Sequence, residues 1–192
     1  MGRVEANLSE ALAAARREFG AGRLREAAQR FRRLVKRAPG WAEAWYWLGR
    51  CKLYNREFKR AEAALLQAVS LDPDLADAWK ELGVLYRRRG RLADAVRALK
   101  NALTGDFNRA DFWLELGQVY TQQQEHEKAF RALRRAVHLR PNWKEAQMLL
   151  GFSAAYLAEI ITIREVDEAL ERMMSAEELK NYWRQLVRIM GC

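Results

Sequence analysis

The chain is predicted to be all-α, a right-handed solenoid of stacked antiparallel helix pairs closed by C-terminal capping helices. Three observations predict it. The prolines, Pro39, Pro73 and Pro141, stand one and two multiples of 34 residues apart, and the skipped beat falls on Phe107. A proline held in phase with a fixed period ends each helix where the next unit begins. Columns at the same period agree in residue type, with Trp45, Trp79 and Trp113 in one and Gly49, Gly83 and Gly117 in another. Finally, alanine, leucine, arginine and glutamate dominate, while Gly (11) and Pro (3) are scarce and β-branched runs are missing, which favours helix.

The 192 residues are 50% hydrophobic and 31% charged, enough to bury a core and unlike a disordered composition. They are read as one solenoid domain over 1–192. The first unit, about 8–41, carries Ala11, Ala14 and Ala15, then Ala27, Phe31 and Leu34. Alanines stand where later units have Trp and Gly, as a terminal repeat allows. The second unit, about 42–75, has Trp45, Leu48 and Gly49, then Ala61, Leu65 and Ala68. Spacings of three and four put each set on one helix face, so every unit is two amphipathic helices. The glycines let the paired helix approach closely.

The third unit, about 76–109, repeats the pattern with Trp79, Leu82, Gly83, Ala95, Leu99 and Ala102. Phe107 replaces its proline, which predicts a looser or differently angled junction. The fourth, about 110–143, has Trp113, Leu116, Gly117, Ala129, Leu133 and Ala136.

A fifth unit starts in phase at Lys144, with Leu150-Gly151, and then drifts. Ala146–Ile163 carries one charge, Glu159, and reaches the length of a membrane span. Its mixed flanks and in-phase start favour a helix buried on several sides instead. Thr162-x-x-Glu165 and Ser175-x-x-Glu178 have the form of capping boxes, predicting closing helices at about 163–174 and 176–190. Met148 and Phe152, facing Leu179, Tyr182, Trp183 and Leu186, are read as either a self-cap of the open end or a homodimer contact.

The motifs Trp79-x2-Leu82-Gly83-x2-Tyr86 and Trp113-x2-Leu116-Gly117-x2-Tyr120 resemble the tetratricopeptide repeat (TPR), whose pattern at period 34 is W-x2-L-G-x2-Y, then A-x3-F, then A and P. The resemblance covers about three quarters of the chain. It implies a concave surface lined by the first helix of each pair, with the second, fifth, sixth, ninth, twelfth and thirteenth residues facing inward. Carried onto this chain, it makes Tyr46, Trp47, Arg50, Tyr54, Lys80, Glu81, Arg87, Arg88, Glu115, Gln118 and Gln122 the groove candidates. Tyr and Trp beside Arg make good peptide anchors. Some members grip a chaperone C-terminus with a Lys/Asn/Arg clamp. The matching positions here, Leu12, Arg16, Trp47, Asp77 and Glu81, do not form it.

The function so implied is a non-catalytic scaffold or adaptor for a protein or peptide partner, with a secretion-type chaperone as a narrower form. The chain shows no phosphate-binding glycine motif. Its histidines, His126 and His138, have no Cys or His neighbours at ligand spacing, so neither cofactor nor metal is expected. Net charge is +9, concentrated at Arg30, Arg32, Arg33, Lys36 and Arg37 and at Arg87-Arg88-Arg89 with Arg91. The rival reading is therefore a basic surface for RNA or anionic lipid, although no nucleic-acid module is present. Cys51 and Cys192 cannot make a disulfide framework. The first ten residues lack an apolar signal core, and Ala6 departs from a myristoylation motif. A cytoplasmic setting is the expectation.

Overall fold

A computed structural model describes residues 2–173 of the chain, with side chains described over 7–159. Among the described residues there are nine helices and no strand. They are α1 (Gly2–Gly20), α2 (Leu24–Arg37), α3 (Ala42–Tyr54), α4 (Phe58–Leu71), α5 (Ala76–Arg88), α6 (Leu92–Gly105), α7 (Ala110–Gln122), α8 (His126–Leu139) and α9 (Lys144–Met173). Each odd helix packs on the even helix that follows, and each even helix on the next odd one. First helices of successive units also meet, α1 with α3, α3 with α5 and α5 with α7. The result is an α-solenoid.

The turn inside each unit is the same construction four times. Gly22, Arg56, Gly90 and Gln124 all have positive φ, between 60° and 76°. After α3, the Arg56 N–H donates to the Leu53 carbonyl at 3.1 Å and the Glu57 N–H to the Lys52 carbonyl at 2.9 Å. That pair of bonds is a Schellman motif, which satisfies the last carbonyls of the helix. Gly22 and Gly90 meet the left-handed backbone without strain, whereas Arg56 and Gln124 carry a steric penalty at Cβ.

The junction between units is also repeated. Trp45 and Trp79 each donate an indole N–H to the carbonyl of the preceding proline, Pro39 and Pro73, at 2.8 Å. Trp113 does the same to Phe107 at 2.9 Å. In the fifth unit Gln147 takes over, donating its amide to Pro141 at 2.6 Å. The expectation of a looser junction at Phe107 is corrected by this bond. Asp106 has φ −148°, ψ 98°, close to −140°, 93° at Asp72. Each aspartate also accepts a backbone N–H two residues on, at 3.0 and 3.1 Å. The tryptophan bond and this Asx turn set the junction, and neither needs the proline ring.

The core follows the columns. Leu65, Leu99 and Leu133 are fully buried, each reaching over the glycine of its paired helix. A Cβ on Gly49, Gly83 or Gly117 would lie 2.6–2.7 Å from the leucine Cγ or Cδ2, closer than carbon atoms pack. The alanines at 61, 95 and 129 are also fully buried. Cys51 is a buried free thiol in the same interior.

The C-terminal expectation needs a larger correction. α9 runs unbroken for 30 residues, Lys144–Met173, so Thr162-x-x-Glu165 lies inside a helix and no helix begins near 163. No Gly or Pro stands between Phe152 and Met173 to end the preceding helix. Without a terminus, a capping box has no free N–H groups to satisfy. The chain thus forms four helix pairs and one long helix among the described residues, rather than a fifth pair with a separate closing helix at 163–174. Ser175-x-x-Glu178, the helix expected at 176–190, and Leu179, Tyr182, Trp183 and Leu186 lie outside the described residues. Among those that are described, no helix is long and apolar enough to cross a membrane.

Candidate interaction surface

The first helices are laced to one another by polar side chains. Arg16 of α1 pairs with Glu43 of α3 at 3.3 Å, and Arg50 of α3 with Glu81 of α5 at 3.2 Å. Arg87 of α5 then pairs with Glu115 of α7 at 3.0 Å, and the Gln118 amide of α7 donates to Glu145 of α9 at 3.1 Å. Lys80 adds a second cation at Glu81, 3.1 Å away. Arg109, just before α7, reaches Asp77 of α5 at 3.0 Å while holding Asp111, and these bonds raise its pKa further above the ordinary guanidinium value. Five sequence-predicted groove residues, Arg50, Glu81, Arg87, Glu115 and Gln118, are therefore rungs of one ladder.

Near the N-terminal end an aromatic cluster supports the ladder. Phe19 meets Trp47 and Tyr54 edge-on at 5.4 Å, and Phe31 stacks on Trp47 at 6.0 Å. The Arg50 guanidinium lies over Trp47 and Phe19 at 4.8 and 4.9 Å and over Tyr46 at 5.6 Å. Burial opposes its charge, but Tyr46, Glu81 and Tyr54 together outweigh burial and leave its pKa raised. Burial pushes the Tyr46 phenol well above its ordinary range. These cation–ring contacts hold the arginine in place.

The predicted residues divide by exposure. Tyr46 and Glu81 are buried, and Trp47, Arg50, Lys80, Arg87, Glu115 and Gln118 are half-buried. Tyr54, Arg88 and Gln122 are exposed. These three share one column, and Tyr156 of α9, also exposed, is its fourth member. Each of the first three is the last residue of its helix, so the row runs along one rim of the stacked first helices. Met148 and Phe152 are exposed as well, 56% and 67%.

The second basic cluster is largely neutralised, whereas in the first only Arg30, and not Arg32, Arg33, Lys36 or Arg37, forms an ion pair among the described residues. Arg30 binds Glu18 at 2.7 Å. Arg87 is a ladder rung, and Arg89 and Arg91 share Glu62 at 2.8 and 2.6 Å. Phosphate binding needs unpaired cations, and here most of the second cluster is engaged. Sequence reasoning also missed a groove on the opposite, second-helix face. Phe107 in place of a proline is its only trace in the sequence.

The family described as the Cilia and flagella-associated protein 70 C-terminal domain matches residues 3–186. No curated protein matches the sequence significantly. Among solved structures, a crystal structure of MamA is similar at 24% identity and TM-score 0.69, covering 88% of this chain and 96% of that one. Pseudomonas aeruginosa pilF superposes with TM-score 0.76 at 19% identity, covering 91% and 79%. YrrB, described as a TPR protein with an unusual peptide-binding site, gives TM-score 0.64 at 21% identity, covering 73% of each chain. Likenesses at these identities show the shared fold.

Proposed function

Because this chain belongs to the Cilia and flagella-associated protein 70 C-terminal domain family, a TPR family, we propose that it is a non-catalytic interaction scaffold. It takes a peptide or helix of a partner protein into the concave groove formed by its first helices. The observation that carries this reading is the exposed row Tyr54, Arg88, Gln122 and Tyr156, set beside a ladder that holds the groove floor rigid. A floor already locked by its own bonds loses little freedom on binding, so more of the contact energy remains as affinity. Tyrosine and arginine at the rim are the residue types that anchor partners.

Within this reading the roles divide. Tyr54, Arg88 and Gln122 contact the partner. Trp47, Arg50, Lys80, Glu81, Arg87, Glu115 and Gln118 set the shape and charge of the floor, and Tyr46 supports Arg50 from beneath. YrrB's peptide-binding site belongs to YrrB, but the shared fold makes peptide capture a reasonable use of this surface. The family's name points to cilia and flagella as the place to seek the partner.

Photo-crosslinking residues at positions 54 and 122 should capture the same partner segment. Tyr54→Ala with Arg88→Glu should weaken binding of that segment about tenfold or more while helicity is unchanged. A captured partner that binds the double variant as tightly as wild type would refute the groove assignment.

A further inference from the structure

The second-helix face holds an open groove of about 1330 Å³ between α6 and α8, with α7 as its floor. Its apolar lining is Leu103, Phe107, Trp113, Leu116 and Tyr120. Phe107 is 55% exposed and meets Trp113 edge-on at 5.0 Å. Around this floor stand Lys100, Lys128, Arg131, Arg134, Arg135 and His138, and no acidic residue lines the groove.

Among the described residues, Lys100, Arg134, Arg135 and His138 form no ion pair. Lys128 and Arg131 pair only with exposed carboxylates on or beside their own helix, Glu125 at 3.1 Å and Glu127 at 3.4 Å. Such surface pairs are weak and rearrange readily. Arg135 lies over the Phe107 ring at 5.2 Å, and its Nε is shielded from water without an acceptor. A shielded, unsatisfied donor is costly, and it sits among the other cations of the groove.

We propose that this groove docks an amphipathic helix of a partner protein, with an apolar face and acidic flanks, independently of the concave surface. The size fits. The lining on α8 runs from Lys128 to His138, about 15 Å of helix at 1.5 Å per residue, which matches about three turns of an incoming helix. The apolar face of the incoming helix covers Phe107 and Trp113, and carboxylates on either side meet the α6 and α8 cations. Helix-in-groove recognition depends on this match of stripe and flanks, and the one-sided charge of the rim selects the acidic helix over a basic one. Phe107 is the residue that makes this junction different, because Pro39, Pro73 and Pro141 offer no aromatic ring at the equivalent position.

The test uses a labelled helical peptide of about 16 residues with leucines on one face and glutamates on the other, and a twin with lysines replacing the glutamates. Fluorescence anisotropy should show the glutamate peptide binding the full chain, weakening as salt rises, and the lysine twin not binding. Phe107→Pro restores what the other junctions carry, so it keeps the fold while removing the aromatic ring. That variant, and separately Arg131→Glu with Arg134→Glu, should each lose about tenfold or more in affinity, whereas Tyr54→Ala should change nothing. Equal binding of the two peptides, no binding of the glutamate peptide at low salt, or full affinity in Phe107→Pro would overturn the proposal. So would concentration-dependent self-association abolished by Phe107→Pro, which would assign the groove to a second copy. Binding of poly(U) RNA or of phosphatidylserine–phosphatidylcholine vesicles, lost in the charge-reversal variant while the peptide does not bind, would equally replace it.

Discussion

Trp113 donates its indole N–H to the Phe107 carbonyl at 2.9 Å, matching within 0.1 Å the bond that Trp79 makes to Pro73. The bond ties the start of one unit to the end of the last and reads only a backbone carbonyl, so it is indifferent to the residue supplying it. Trp113→Phe and Trp79→Phe should therefore lower stability by similar amounts, about 1–2 kcal/mol, measured as urea midpoints. Phe107→Pro should stay within about 1 kcal/mol of wild type. A Trp79→Phe cost several times that of Trp113→Phe would show that the proline ring does contribute to the junction.

The glycine–leucine contact sets the distance between paired helices. Gly83→Ala would place its Cβ 2.6 Å from Leu99 Cγ. Alanine's better helix propensity offsets part of that clash, about 1 kcal/mol, but overpacking costs about 1–3 kcal/mol. Net destabilisation is expected, relieved when Leu99→Val is added. A Gly83→Ala chain more stable than wild type would mean that Leu99 moves aside freely.

Two of the four intra-unit turns carry a side chain where the backbone is left-handed. Arg56→Gly and Gln124→Gly should each raise stability by up to about 1 kcal/mol, and Gly90→Ala should lower it by about 1 kcal/mol. Thermal midpoints of the three variants check the sign. If Gln124→Gly proves destabilising, the flexibility gained by the unfolded chain has outweighed the strain removed.

Burial pushes the Cys51 thiol up to about 12, so almost no thiolate forms near neutrality. In a Cys192→Ser background, Cys51 should resist iodoacetamide in the native state and react as the chain opens. Thiolate is the nucleophile, so labelling should follow the unfolded fraction across a urea titration. Rapid labelling in the absence of denaturant would contradict the buried placement.

Acid should loosen the solenoid through carboxylates held below their usual range. Hydrogen bonds from Lys52 and Arg60 lower the Glu57 pKa, and those from Arg97 and Arg91 lower that of Asp94. In the unfolded chain both return to about 4, so the unfolded state binds more protons in this region. Their contribution is then fully present above about pH 5 and is lost as pH falls through the folded values. Urea midpoints should drop between about pH 5 and 3, with a shallower fall in Asp94→Asn. Parallel profiles for the variant and wild type would remove Asp94 as a source.

The helix pairs and their core were legible in the residue columns, because buried Leu, Gly and Ala and half-buried Trp recurring every 34 residues are what stacked copies of one helix pair require. Gly22 and Gly90 also stand in that phase, but the turn they share with Arg56 and Gln124 shows only in the backbone angles. The amphipathic period places a residue on a face. It does not say which neighbour across the helix gap will claim it. Tyr46 and Glu81 fell on the groove face by position, yet Tyr46 sinks beneath Arg50 and Glu81 draws in two cations, because the spacing between α3 and α5 brings those groups within reach. The unbroken α9 was decided by the absence of any residue able to end it, which outweighs a local capping motif. The basic groove arises where α6, α7 and α8 converge around Phe107. Residues far apart in the chain build it, and only the packed helices bring their charges to one rim.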